Sequence, residues 1–135
     1  MRLGLAILTA LMAMPASAQQ FTTAGEVRPI LTATRANWIA LRRYEGQDLL
    51  YFTQLESWRC GLSEVRFSIN GGREQVWPLE TCYEGTPTPN AIQGNNGLPY
   101  TALPLDSVNQ VTVTVIYDDG SEDSARFERQ AILIP

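Results

Sequence analysis

From about residue 38 to its end the chain alternates apolar and polar positions with a period of two, the pattern of strands that bury one face. Val111, Val113, Val115 and Tyr117 share one phase, with Thr112 and Thr114 in the other. Beyond Asp118-Asp119-Gly120, a second set of Ala125, Phe127, Ala131 and Leu133 also keeps one phase. Matching the two sets fixes a hairpin register. A two-residue Asp119-Gly120 loop would set Val113 opposite Arg126 and Thr112 opposite Phe127, apolar against polar. The three-residue loop Asp118-Asp119-Gly120 instead sets Val113 opposite Ala125 and Val111 opposite Phe127. This form predicts a type I turn with Gly120 left-handed at a G1 bulge.

Upstream, Val65, Phe67 and Ile69 alternate with Glu64, Arg66 and Ser68, which predicts a half-buried strand. Asn70-Gly71-Gly72 turns it into Gln75–Leu79, where Pro78 marks an edge or a strand end. Trp38–Tyr44 and Leu49–Leu55 flank Glu45-Gly46-Gln47-Asp48 as another hairpin. Within it, Leu49-Leu50-Tyr51-Phe52 is apolar on both faces and suits a central strand. Residues 80–107 are least regular: 84–90 and 93–97 are turn chemistry, with a short strand at Tyr100–Leu105. A loop this long in a small domain is commonly functional or mobile. Ahead of the strands, Thr23-Ala24-Gly25-Glu26 fits a capping box, and Val27, Ile30, Leu31 and Thr34 share a helical face. A short helix over 24–34, disturbed by Pro29, is expected there.

One helix followed by six or seven strands predicts a mainly β fold, an antiparallel β-sandwich. The stretch Ser63–Phe127 is similar in texture to immunoglobulin-like or fibronectin type III modules, although the Cys–Trp–Cys layout of antibody domains is missing. The alternative is an α+β fold with a single antiparallel sheet packed on the helix.

The first residues change the picture of where this domain works. Arg2, the apolar run Leu3–Met14, Pro15 and Ala16-Ser17-Ala18 match a secretory signal peptide cleaved after Ala18. The expected organisation is a signal at 1–18 and one β-rich domain at 19–135, periplasmic or secreted. No later segment is apolar enough for stable membrane insertion. Loss of Arg2 would take the formal charge from −4 to −5, which argues against nucleic acid and anionic membranes as partners. The chain has no His and no Lys, so the usual neutral-pH base and the Schiff-base amine are missing. Cys60 and Cys82 are the only cysteines, and in an exported chain they are expected to pair as a disulfide. Two cysteines without His cannot make a zinc site.

No catalytic or cofactor signature is present, and neither metal nor cofactor is expected. The acidic stretch Asp118–Asp123 lacks EF-hand spacing and reads as a solvated turn rather than a calcium site. Glu56, Glu64, Glu80 and Glu84 could in principle supply a carboxylate pair for hydrolysis, but nothing fixes their separation. Trp58, Trp77, Tyr83 and Tyr100, close in sequence to the disulfide or the long loop, form the possible binding face.

The stretches 46–53 (GQDLLYFT), 57–62 (SWRCGL) and 117–121 (YDDGS) resemble small exported proteins of alphaproteobacteria with no assigned function. The resemblance implies a periplasmic home and carries no site residue. The expected function is a non-catalytic binding module for another periplasmic protein or a glycan. A hydrolase with a carboxylate-based site and a purely structural envelope protein are the alternatives.

Overall fold

The computed structural model describes Gly4 and residues 20–135, so the export signal read at 1–18 lies, Gly4 apart, outside the described residues. Helix α1, Ala24–Ala33, starts where the capping box places it: Thr23 Oγ1 accepts the Glu26 amide, and Glu26 reaches back to the Phe21 amide. Pro29 is tolerated within it. Its buried face is Ala24, Val27 and Leu31. After a 3-10 turn at Arg35–Asn37 come β1 (Ala40–Tyr44) and β2 (Gln47–Tyr51). A short helix α2 (Thr53–Glu56) and a 3-10 turn (Arg59–Gly61) lead to β3 (Leu62–Ile69) and β4 (Gln75–Trp77). An irregular segment runs to β5 (Tyr100–Pro104), followed by β6 (Gln110–Tyr117) and β7 (Glu122–Glu128). Helix α3 (Arg129–Ile132) then carries the chain to β8 (Leu133–Ile134).

The strands form two four-stranded sheets, ordered β5-β2-β1-β8 and β4-β3-β6-β7. Every pairing is antiparallel except β1 with β8. The mainly β sandwich is therefore present, and the single-sheet alternative is replaced by two sheets. Between them lies one core, with Leu41 and Leu50 from the first sheet and Val65, Val111, Val113 and Val115 from the second. Phe52 stacks on Trp77 at 4.1 Å across this core.

The terminal hairpin has the expected register, Val113 opposite Ala125 and Val111 opposite Phe127, with Gly120 at φ +83°. Other boundaries are corrected. The described residues form eight strands rather than six or seven. The β1–β2 turn is only Glu45-Gly46, both at positive φ, so Gln47 and Asp48 belong to the strand. Trp38 precedes β1: it is fully buried, and its indole N–H is capped by the Leu31 carbonyl at 2.8 Å. The phase of Phe127 does not continue through Ala131 and Leu133, because the chain leaves the second sheet at α3 and adds β8 to the first.

Close approach of α1 to the turn before β3 depends on Gly61. A Cβ there would lie 2.5 Å from Val27 Cγ2 and 2.8 Å from the Thr23 carbonyl oxygen.

Candidate functional site

Residues 56–60 organise the long irregular segment. Cys60 is bonded to Cys82, with Cα atoms 5.1 Å apart. The preceding residue, Arg59, is 2% exposed, and its guanidinium donates to the carbonyls of Glu56, Glu80, Thr81, Asn90 and Ala91 at 2.8–3.1 Å. A planar fork of five N–H donors suits this task, since a buried Arg left unpaired would be very costly. Asn90 adds a second tie by accepting the Cys60 amide at 2.8 Å and donating to the Phe21 carbonyl.

Two of the candidate carboxylates converge on Arg59. Glu56 accepts from the Trp77 indole at 2.9 Å and from the Glu80 amide. Glu80 accepts from the Gln93 and Gly94 amides and the Tyr83 hydroxyl at 2.7–2.9 Å, with Arg59 Nη2 3.5 Å away. Burial pushes the Glu80 pKa up, but these donors outweigh it and hold the pKa below the usual carboxylate value. Burial and the Glu80 carboxylate raise the Tyr83 phenol. Both carboxylates are thus occupied in holding backbone. The space between them and the segment 92–99 is only about 10 Å³. Glu64 pairs with Arg66 on β3, and Glu84 is exposed on the loop, so neither joins this cluster.

The four aromatics do not form one face. Trp77 is 7% exposed and belongs to the core, which removes it as a contact residue. Trp58 packs edge-on against Phe21 at 5.1 Å, beside Pro87–Ala91. Tyr83 lies over Arg59. Tyr100, half-buried on β5 of the first sheet, pairs with Tyr51 on the neighbouring strand β2, ring centroids 5.1 Å apart.

The Tyr51–Tyr100 pair opens onto a surface that sequence reasoning did not assemble. Leu41 and Leu50 face the core, so the opposite phase of the first sheet points outward. That outer face carries Ile134, Arg42, Tyr44, Leu49, Tyr51, Tyr100 and Ala102 across its four strands. Arg42 lies 4.6 Å above the Tyr44 ring, and Tyr44 and Ile134 are more than 40% exposed. A groove of about 440 Å³ adjoins it, lined by Asn37, Arg42, Tyr51, Thr53, Gln54 and Ile134 among others. The signal in the sequence was Leu49–Phe52, apolar on both faces. It correctly marked β2 as central, but it also meant that the outward side of this sheet is not the usual solvated one.

The acidic hairpin tip is bound by helix α1 and the turn after it. Asp119 pairs with Arg28, and Asp123 with Arg35 at 2.6 Å. Among the described residues no group of three or more potential ligands could hold a metal ion. A comparison with protein-family models, curated proteins and solved structures returned no match for this chain.

Proposed function

We propose that the chain is an exported, non-catalytic binding module of immunoglobulin-like type, which engages another periplasmic protein or a glycan through the outer face of its β5-β2-β1-β8 sheet. The observation that carries this reading is the Tyr51–Tyr100 pair beside the groove, flanked by Arg42 over Tyr44. Rigid aromatic rings and Arg are the side chains that give most binding energy per residue at recognition surfaces. They stand on paired strands, which hold them in place without a partner. The disulfide supports an oxidising compartment. A carboxylate-based hydrolase has less support, because Glu56 and Glu80 spend their acceptors on Trp77, Tyr83 and backbone amides.

The test is affinity capture from periplasmic extract, together with a glycan array, comparing the native chain with Tyr51→Ala/Tyr100→Ala and Arg42→Ala. A reproducible partner or glycan should be lost in both variants while thermal stability stays close to native. A partner retained at full strength by the double variant would refute the assignment of this face.

A further inference from the structure

The first sheet ends on β5, and this edge is bare. Phe52 donates to the Pro99 carbonyl, so in the β2–β5 ladder Thr101 and Leu103 turn their backbone groups toward β2. Tyr100 and Ala102 therefore turn theirs outward, and neither has a hydrogen-bond partner among the described residues. The other edges differ. Strand β8 has two residues and β4 three. On β7 the Ser124 carbonyl is taken by Arg35 at 2.8 Å. Exposed edges are commonly blunted by charge or by proline; 97–105 (GLPYTALPL) contains no charged residue, and its prolines, Pro99 and Pro104, flank the outward groups of Tyr100 and Ala102 without removing them. Leu98 and Leu105 at its two ends are 62% and 41% exposed.

We infer that β5 pairs with β5 of a second copy of this chain, antiparallel about a two-fold axis at Thr101. The segment is self-complementary in that register. Tyr100 of each copy meets Ala102 of the other, large against small, and their outward groups make four backbone hydrogen bonds. Leu98 falls opposite Pro104, and Leu105 opposite Gly97, so each exposed leucine meets an apolar or small residue. A heterologous strand would need no such symmetry, which is why the second copy is the favoured occupant. The result is one continuous eight-stranded sheet with the two outer faces side by side. The inference goes beyond the proposed binding role and does not rest on it.

The experiment is sedimentation of the exported, purified chain over a concentration series, with Ala102→Pro and two cysteine variants. The native chain should sediment as a dimer. Ala102→Pro deletes a donor in each copy and should weaken association about tenfold or more, with the fold intact by circular dichroism. Thr101 faces its own symmetry mate, at a Cα spacing of about 4.5 Å for a non-hydrogen-bonded pair. Thr101→Cys should therefore cross-link under mild oxidation, and Leu103→Cys, which has no such mate, should not. The native cysteines are already paired and do not interfere. A chain that stays monomeric to about millimolar concentration, or a dimer in which Thr101→Cys does not cross-link, overturns the inference. The cysteine variants read the register even if Ala102→Pro fails to fold.

Discussion

Asp48 shows how one buried carboxylate ties three segments. Its side chain is fully buried on β2 and accepts two bonds from Arg129 at 2.7 and 3.1 Å. The Asp106 and Val108 amides donate to it as well, at 3.1 Å each. The Arg129 bonds first, and then the two amides, overcome burial and bring its pKa down to about 2. A pKa lower in the folded than in the unfolded state means that the folded protein binds protons less readily. The contribution is therefore complete above the unfolded value of 3.8 and is lost as pH falls through about 2. Its size is about 2 kcal/mol. Urea unfolding should find Asp48→Asn less stable than the native chain by about this amount at pH 6. The gap should narrow below about pH 4 and nearly close at pH 2. A gap independent of pH would show that the ion pair is not its source. Asp119, also held at about 2, first by Ser121 and then by Arg28, titrates alike in both proteins and cancels from the comparison. At this scale the site was poorly legible. Asp48 sits next to a turn and reads as a turn residue, and nothing in the sequence singles out Arg59. Only the return of residues 80–91 and of Arg129, distant in sequence, supplies their partners.

The segment from Pro78 to Pro99 is held at two points of different physical kind. The Cys60–Cys82 bond restricts the unfolded chain and is worth about 3 kcal/mol for a loop of this length. Arg59 acts in the folded state, by fixing the carbonyls of residues 80, 81, 90 and 91. The two are separable. Cys60→Ala/Cys82→Ala should lower global stability by about that 3 kcal/mol and leave slow hydrogen exchange at the Gln93 and Gly94 amides, which Glu80 still accepts. Arg59→Met should cost about 3–5 kcal/mol, because it strands buried carboxylates and carbonyls, and should open those same amides and admit protease between 84 and 97. The reverse pattern would make the disulfide the anchor. Legibility at this scale follows the range of the interactions. The β6–β7 hairpin was readable to the residue because a face mismatch excludes the wrong loop. Helix α1 was readable from its capping box. Helix α3 and β8 were not, because Arg129–Ile134 leaves one sheet for the other on account of partners far away: the Asn109 carbonyl, the Asp48 carboxylate and β1.

At the scale of the molecule the two sides of the sandwich are unlike. On one side α1 and the turn after it grip the β6–β7 hairpin through Arg28 and Arg35, and α3 crosses between the sheets. On the other side β4 and β5 are edges, joined by the loop that Arg59 holds. Stability should follow the same asymmetry. Strands β3 and β6 lie inside their sheet, and Val65, Val111, Val113 and Val115 are wholly buried, so their exposure requires the whole domain to open. In native-state hydrogen exchange the β3–β6 ladder should report the global unfolding free energy. In dilute solution the outward amides of Tyr100 and Ala102 should exchange at nearly the rate of open chain. The inward amides of Thr101 and Leu103, bonded to β2, should fall between these limits. Uniform protection along β5 at low concentration would mean that something within the chain covers this edge. An alternation of fast and slow amides along β5 that disappears as concentration rises would locate the second copy at the same four backbone groups.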